Sequence, residues 1–414
     1  MISIRDALSA ILADVPKGPD ERVRLDRSRG RVLAADVVSP LDLPHADQSA
    51  MDGFAVRADD AVDGAALRVV GTVAAGAVAV RPVGPGEAMA IMTGGWVPDG
   101  ADAVVMVEHV DRPTDERVVV RRTARRGDAI RRRGEDVAAG AIVIRAGETV
   151  DPSRMGALAA IGGRAVTCVA RPRIGVLSTG DEVRPLGARL KPGQLWNSNG
   201  PALAAAIREA GGLPVNLGIA PDDLALTVAA VRRGLSFDAL VTTGGVSVGA
   251  YDVVKEAQRE LGIAMNFWRV DMKPGKPLAF GVVPHEGRRV PWFGLPGNPV
   301  SALVNFVQFT SPWIRSWLGD PLPYRPVVRA QLRADLVDAA GRPKLLRVRL
   351  EATSEGLFAW PASTQSSGAI GAMAACNALA LVPGPVARVP KGEWVVVQPL
   401  TGEPRGASAP GYPW

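Results

Sequence analysis

One stretch constrains the fold more than any other, because an apolar strand runs into paired glycines and then into a helix. Residues 239–252 read A-L-V-T-T-G-G-V-S-V-G-A-Y-D. This pattern predicts a strand over 238–242 and a helix that resumes near Tyr251. A turn of this kind leaves backbone N–H groups unpaired at the start of the helix, where they suit a phosphate or another oxyanion. A tight strand-to-helix turn without a ligand has the same pattern, so the stretch alone leaves both interpretations open.

From Arg171 onwards strands and helices alternate, which predicts an open α/β sheet with right-handed crossovers over residues 171–318. Glycine-rich turns follow three of its strands, at 178–182, 242–249 and 294–299. Ligands of such sheets bind beyond the carboxyl ends of the strands, so we expect the three turns to meet at one edge.

A K-P-G-K turn adds positive charge to this region. The chain has only seven lysines among its 48 basic residues, and Lys273 and Lys276 stand three residues apart. A lysine is a compact charge that suits a small oxyanion. An exposed turn with solvated lysines is the alternative.

The rest of the chain is rich in short β-strands separated by glycine and proline. We predict an N-terminal mixed α/β domain over 1–44 and 135–170, into which a β-rich lobe is inserted over 45–134. Residues 319–402 are predicted to form a small β-barrel or sandwich, with the barrel preferred, and residues 403–414 a loose tail. The fold class is therefore a multidomain α/β and β protein built around a central open α/β sheet.

Composition excludes several classes of function. A net charge of +6 over 414 residues, without basic and aromatic residues interleaved, argues against a nucleic-acid partner. Two cysteines form neither a disulfide framework nor a thiolate metal site, and the three histidines lack zinc-hydrolase spacing. No apolar run reaches the ~18 residues of a membrane span, and the N-terminus has no signal-peptide core. We expect a soluble cytoplasmic protein without a membrane partner.

Seven motifs, in this order, resemble those of the molybdopterin molybdenumtransferase family, which includes the C-terminal domain of gephyrin. They are S-A-M-D-G-F-A (49–55), I-M-T-G-G (91–95), R-R-R-G-E-D (131–136), S-T-G-D-E (178–182), T-T-G-G-V-S-V-G-x-Y-D (242–252), K-P-G-K-P (273–277) and G-L-P-G-N-P-V-S (294–301). Each motif is weak alone, but the series is specific, and the resemblance covers residues 1 to about 400.

The resemblance implies a molybdopterin-binding fold and an enzyme of molybdenum cofactor biosynthesis. Its substrates are adenylylated molybdopterin and molybdate, its cofactor is Mg²⁺, and AMP is released. The residues that match the substrate-binding motifs are Ser178, Thr179, Gly180, Asp181, Thr243, Gly244, Gly245, Val246, Ser247, Gly249, Pro296, Gly297, Asn298 and Pro299.

The resemblance also implies ligands for the ions. Glu182, Asp222 and Asp252 are the expected oxygen ligands of the divalent cation. The candidates for holding molybdate are Lys273, Lys276, Arg347 and Ser367. Arg269 stands where the family often has lysine, so its role as a further binding residue follows less directly.

The family further implies a homodimer, in which one subunit's N-terminal part faces the α/β domain of the other. Asp52, Thr93, Arg131 and Asp136 would then complete the cleft from the partner subunit. Transient contact with other proteins of the molybdenum cofactor pathway is also expected.

Three alternatives stay open at this point. One is a molybdopterin-binding scaffold without activity, which the acidic residues argue against, and another is a tungsten-inserting relative. A competence-type nucleotide hydrolase with the same α/β domain fits less well, because the N-terminal lobe and the K-P-G-K turn are both present.

Overall fold

The computed structural model describes residues 1–245, 253–263 and 265–400, and these fold into two compact units. The large unit contains Met1–Glu21, Gly30–Ala34 and the chain from Cys168 onwards, and the small unit contains Arg22–Arg29 and Ala35–Thr167. The predicted tail at 403–414 lies outside the described residues. The predicted domain boundaries at 44, 134, 170 and 318 remain predictions. Among the helices of the described residues, none is long and apolar enough to cross a bilayer.

The first 160 residues are mostly short strands. In chain order the elements are α1 (Ile4–Leu12), β1 (Asp20–Arg24), β2 (Val37–Val38), β3 (Gln48–Ser49), β4 (Gly53–Val56), β5 (Ala66–Val73), β6 (Glu87–Ile91), β7 (Ala103–Met106), β8 (Val110–Thr114), β9 (Arg117–Val120), β10 (Ile130–Arg131), β11 (Ile142–Ile144) and α2 (Pro152–Ala160), with 3₁₀ turns at Leu25–Arg27, Ala58–Asp60 and Val107–His109.

The core of the small unit is a sheet in which the strands lie in the order β7-β4-β6-β5-β9-β8. Successive side chains of a strand point to opposite faces, and both faces of this sheet are buried. Phe54 of β4 packs with Val105 on one face, whereas Ala55 packs with Met89 on the other. The predicted β-rich lobe is thereby confirmed.

The large unit continues with alternating strands and helices. They are β12 (Ala165–Val169), β13 (Arg173–Thr179), β14 (Val183–Arg184), β15 (Leu195–Trp196), α3 (Asn199–Glu209), β16 (Leu213–Ala220), α4 (Leu224–Gly234), β17 (Ala239–Thr243), α5 (Val253–Glu260), β18 (Met265–Arg269), β19 (Pro277–His285), β20 (Arg288–Leu295), α6 (Pro299–Asn305), a π-helical turn (Phe306–Thr310) and α7 (Ser311–Trp317).

The central sheet of this unit has the strand order β16-β13-β17-β20-β19-β18. The first four of these strands run parallel to one another, as the sequence predicts. The last two, β19 and β18, are antiparallel, and the sequence pattern did not predict either of them. A tight turn joins β20 to β19, and β19 and β18 extend the parallel sheet at its β20 edge.

Helices cover both faces of the central sheet, so this part is a three-layer structure. Leu240 of β17 packs with Val231 of α4 on one face. Val241, the next residue, packs on the other face with Leu203 of α3 and Phe309 of the π-helical turn. Because both faces are covered, all five residues of β17 are buried, and the first three of them are apolar.

The chain ends in a small barrel. Its elements are β21 (Val328–Leu332), β22 (Leu336–Val337), β23 (Lys344–Thr353), β24 (Gly356–Pro361), α8 (Ile370–Ala374), β25 (Ala378–Val382), β26 (Arg388–Val389) and β27 (Trp394–Pro399). The strands β21-β24-β23-β25-β27 close on themselves, which confirms the predicted barrel. Leu332, Leu346, Val348 and Val397 fill its interior.

Candidate active site

The carboxyl ends of three parallel strands lie side by side in the central sheet. Ser178 of β13 is paired with Thr243 of β17, and Thr243 is paired with Leu295 of β20. The turns that follow these strands therefore begin at the same edge. They line one cleft of about 770 Å³, together with Glu182 and Asp222, and we call it the glycine cleft.

Glycine is required where β17 turns into this cleft. Gly244 has a φ of 96°, and a Cβ atom there would lie 2.6 Å from the carbonyl oxygen of Thr179. The Gly244 N–H donates to the Leu295 carbonyl at 3.2 Å. The neighbouring turns thus approach one another closely enough to exclude any side chain at this position.

Asparagine side chains fasten the turns together. Asn199 Nδ2 donates to Thr243 Oγ1 and to the Gly297 carbonyl, both at 2.8 Å. Asn197 Oδ1 accepts from Ser178 Oγ at 3.0 Å and from the Gly200 N–H at 2.9 Å. The sequence N-S-N-G predicts the start of a helix, and its two asparagines, one before α3 and one as its first residue, are a signal for this fastening role.

Of the predicted binding residues, many line the glycine cleft. They are Ser178, Thr179, Gly180, Glu182, Asp222, Thr243, Gly244, Gly245, Pro296, Gly297, Asn298 and Pro299. Val246, Ser247, Gly249 and Asp252 lie outside the described residues, as does Tyr251.

The two acidic residues in the cleft come from loops that hold each other. The Asp222 N–H donates to Asp181 Oδ1 at 3.1 Å, and the Asp181 N–H donates to Asp222 Oδ2 at 3.4 Å. Glu182 follows Asp181 directly and lines the same cleft as Asp222. No group of three or more potential metal-ligating side chains occurs among the described residues. Two carboxylates in one cleft fit Mg²⁺, because Mg²⁺ is commonly held by one or two carboxylates plus substrate phosphates.

A second cleft of about 760 Å³ contains Lys273, Lys276 and a polar loop at 363–367, and we call it the lysine cleft. Asn298 lines both clefts, and its Nδ2 donates to Ser367 Oγ at 3.2 Å. Lys273 Nζ lies 2.5 Å from Asp338 Oδ1. Lys276 has no ion-pair partner among the residues that the structure describes. The two clefts therefore adjoin at Asn298.

Arg347 occupies a different place from the one expected for a molybdate ligand. Its side chain is buried, and it donates to the carbonyl oxygens of Thr364 at 2.8 Å and Ser366 at 2.9 Å. Burial also lowers the pKa of this guanidinium from its ordinary value. Arg347 therefore supports the polar loop through its backbone carbonyls, and Ser367 is one of the loop residues that line the lysine cleft.

Arg269 lies apart from this arrangement. It is exposed at the end of β18, where it is the strand partner of Pro277. It lines neither the glycine cleft nor the lysine cleft.

The small unit brings its own predicted residues together on neighbouring loops. Asp52 Oδ1 accepts from the Thr93 N–H at 2.6 Å and from Thr93 Oγ1 at 2.8 Å. These two hydrogen bonds, the backbone one first, lower the pKa of Asp52 below its ordinary value. Because strand β3 pairs with β10, Arg131 lies opposite Gln48, close to this loop.

The charged bend that contains Arg131 and Asp136 is braced by its other arginines. Arg132 and Arg133 form ion pairs with Asp47 at 2.5 Å and Asp42 at 2.6 Å. The side chains of Arg131 and Asp136 themselves are exposed and have no such partner among the described residues. Ion pairs therefore hold the bend at Arg132 and Arg133, whereas the predicted site residues Arg131 and Asp136 are exposed to solvent.

Comparison with known proteins identifies the family. The model of the MoeA N-terminal region (domain I and II) matches residues 2–162, that of the probable molybdopterin binding domain residues 175–316, and that of the MoeA C-terminal region (domain IV) residues 329–400.

Relatives match over nearly the whole chain. Molybdopterin molybdenumtransferase 2 of Mycobacterium tuberculosis is 40% identical, covering 92% of this chain and 95% of that protein. The molybdopterin molybdenumtransferase of Bacillus subtilis is 33% identical, covering 100% of this chain and 96% of that protein. The crystal structure of a molybdopterin biosynthesis MoeA protein from Pyrococcus horikoshii has a TM-score of 0.82 at 31% identity, covering 97% of this chain and 100% of that one. The chain therefore belongs to the molybdopterin molybdenumtransferase family and is an enzyme, a transferase of molybdenum cofactor biosynthesis.

Proposed function

We propose that the chain inserts molybdenum from molybdate into adenylylated molybdopterin and releases AMP in an Mg²⁺-dependent reaction. The observation that carries the proposal is that the glycine cleft and the lysine cleft adjoin at Asn298. One cleft has the donors and carboxylates that suit phosphates with a metal ion, and the other has the cations and hydroxyls that suit a tetrahedral dianion. A substrate that spans Asn298 would bring its phosphate end and its metal-accepting end to the two sites at once.

The glycine cleft supplies the groups for the phosphoanhydride. The backbone N–H of Gly245, which follows β17, is a donor that we assign to the phosphate oxygens. Val246, Ser247 and Gly249 belong to the same proposed set and lie outside the described residues. Glu182 and Asp222 would hold Mg²⁺, which neutralises phosphate charge when it is bound. The third carboxylate of this proposed set, Asp252, lies outside the described residues.

The lysine cleft supplies the groups for molybdate. Lys276 and Ser367 both line it, and Arg347 holds the loop that carries Ser367. A hydrogen bond from a charged donor to an oxyanion is stronger than one between neutral groups, so Lys276 is the residue that we expect to contribute most. Lys273 becomes available only when an oxyanion competes with Asp338 for it.

We further infer that the enzyme is a cytoplasmic homodimer in which the small unit of one subunit completes the site of the other. The inference is supported by the arrangement of Asp52, Thr93 and Arg131, which are exposed polar residues: the first two lie on loops that are joined by hydrogen bonds, and Arg131 lies on β10, opposite Gln48. Asp136 belongs to the same proposed set. Asp52 is held ionised by Thr93, so it would present a negative charge or a hydrogen-bond acceptor to the reacting groups.

The proposal is tested by incubating the pure protein with adenylylated molybdopterin, molybdate and Mg²⁺, and measuring AMP and active cofactor. We expect both products in equal amounts, and neither without Mg²⁺. Binding of the pterin without AMP release would instead indicate a scaffold, and faster turnover with tungstate than with molybdate would indicate a tungsten-inserting enzyme.

A further inference from the structure

An aromatic side chain stands in the glycine cleft without an assigned role. Trp196 is the only aromatic residue among the described residues that line this cleft, and 49% of its surface is exposed. It stands in the same cleft as Glu182 and Asp222. A half-exposed indole that lines a cleft together with polar groups is placed to contact a bound ligand.

The backbone around Trp196 is fixed to the loop that carries Glu182. Strand β15 pairs in parallel with β14, so that Trp196 is paired with Arg184. The Leu195 N–H donates to the Glu182 carbonyl at 2.9 Å, and the Asn197 N–H donates to the Arg184 carbonyl at 2.8 Å. The position of Trp196 relative to the carboxylate loop is therefore set by hydrogen bonds on both of its sides.

The ring is also fixed through its edge. Nε1 donates to the Ala188 carbonyl at 2.9 Å, which satisfies the only polar atom of the indole. Within the described part of the chain, no aromatic ring or cationic side chain stacks on it. A ring that is held by its edge and has no stacking partner can accept a planar group on its face.

We propose that Trp196 is a stacking platform for a fused heterobicyclic ring of the substrate. The inference rests on the proposed function, in which the glycine cleft holds the phosphates of adenylylated molybdopterin. That substrate carries two such rings, the adenine and the pterin, and both have the planar polarised face that stacks on indole. Stacking needs no hydrogen bond to the edge of the bound ring. Asn197 Oδ1 and Asn199 Nδ2, beside Trp196, are already used to hold the turns.

The test compares ligands that differ only in the ring. AMP and ribose 5-phosphate both carry a 5′-phosphate on ribose, and only AMP has a base. Their dissociation constants, and that of molybdopterin, are measured by calorimetry in the presence of Mg²⁺ with the full-length wild-type protein and with Trp196→Ala and Trp196→Phe.

We expect Trp196→Ala to weaken binding of a ring-bearing ligand about tenfold, which corresponds to ~1.4 kcal/mol and is the size of effect that loss of a stacked base has. Binding of ribose 5-phosphate should change less than about twofold, and Trp196→Phe should retain most of the affinity. If Trp196→Ala loses affinity for AMP, the ring that stacks on Trp196 is adenine. If it loses affinity for molybdopterin alone, the stacked ring is the pterin.

Trp394→Ala is the matched control, because Trp394 is 53% exposed but lies on β27 and lines neither cleft. The inference is overturned if Trp196→Ala leaves both ring-bearing ligands unchanged, or weakens ribose 5-phosphate as much as AMP. These measurements need no turnover, so the two proposals can fail separately. The insertion assay can fail while ring stacking is observed, and insertion can succeed while Trp196→Ala binds every ligand as the wild type does.

Discussion

Lys273 Nζ lies 2.5 Å from Asp338 Oδ1, and the other carboxylate oxygen of Asp338 is buried without a hydrogen-bond partner among the described residues. Only 9% of the Asp338 side chain is exposed. A buried carboxylate is stabilised chiefly by its paired cation, so Lys273 and Asp338 hold each other in place. The same carboxylate lines the lysine cleft, where its negative charge opposes the entry of a dianion.

Replacing Asp338 by asparagine should therefore tighten oxyanion binding. The new amide would keep an oxygen that accepts from Lys273 but would remove the competing charge, and we expect the molybdate dissociation constant to fall about tenfold, which corresponds to ~1.4 kcal/mol. Calorimetric titration with molybdate measures this. The control is Asp335→Asn, which removes a carboxylate of the same cleft that is paired with Arg388 at 2.5 Å. Weaker binding by Asp338→Asn, or equal tightening by the control, would contradict the competition between Asp338 and the oxyanion.

Replacing Lys276 by alanine should have the opposite effect. Lys276 has no ion-pair partner among the described residues, so its ammonium is available to an oxyanion without prior dissociation of a salt bridge. A hydrogen bond to a charged group contributes ~1.5–3 kcal/mol, so molybdate binding should weaken roughly tenfold to a hundredfold. Lys391→Ala, at an exposed turn outside both clefts, is the control and should bind as the wild type does. Unchanged affinity in Lys276→Ala would exclude this lysine from the oxyanion site.

Thr93 should control the ionisation of Asp52. Asp52 has a lowered pKa because the backbone N–H and then the hydroxyl of Thr93 donate to it. Its ionised form therefore stabilises the fold above the ordinary pKa of an aspartate, and this contribution is lost as the pH falls through the lowered value. Thr93→Ala removes the hydroxyl and keeps the N–H, so the pKa of Asp52 should rise only part of the way to its ordinary value. An NMR titration of the Asp52 carboxyl carbon measures the change.

The same pair should be required for activity and not for assembly. If Asp52 and Thr93 complete the site from the partner subunit, Asp52→Asn and Thr93→Ala lose molybdenum insertion while light scattering still shows a dimer. Normal cofactor formation by both purified variants would remove these residues from the proposed site. Dissociation into monomers would show that they act in the interface rather than in the reaction.

That the three glycine-rich turns begin at one edge of the sheet could be predicted from the sequence. Parallel strands place their carboxyl ends at one edge, so the strands that end in Thr179, Thr243 and Leu295 determine where their turns lie. The hairpin of β18 and β19 was not predicted, because the motif K-P-G-K-P marks a turn and the apolar residues after it lack a clear period. Strand β19 pairs with β20, and the sequence pattern indicated only the second half of β20.

Side-chain partners across long stretches of sequence could not be predicted. Asp338 stands 65 residues from Lys273 in a D-A-A-G segment that has the pattern of an ordinary turn. The charge of Arg347 suggests an anion ligand, but in β23 its side chain bonds to the polar loop instead. That direction depends on the register of β23 against its neighbours. Trp196 precedes a predicted helix, and nothing in its sequence context shows that its ring stays in a cleft.

Replacing Gly244 by alanine should distort the glycine cleft more than it disturbs the rest of the sheet. A non-glycine residue in left-handed backbone costs ~1–2 kcal/mol, and the added Cβ at Gly244 would also lie 2.6 Å from the Thr179 carbonyl oxygen. Gly218 has a similar φ of 88°, but a Cβ there meets nothing within 4 Å. Gly218→Ala therefore isolates the backbone cost, and both variants are compared by thermal unfolding and by AMP binding.

We expect Gly244→Ala to lower the unfolding midpoint more than Gly218→Ala does. Gly244→Ala should also weaken the binding of AMP at least tenfold, while Gly218→Ala leaves AMP affinity unchanged. Equal AMP affinities in the two variants would mean that the close approach of Gly244 to Thr179 is not what shapes the cleft.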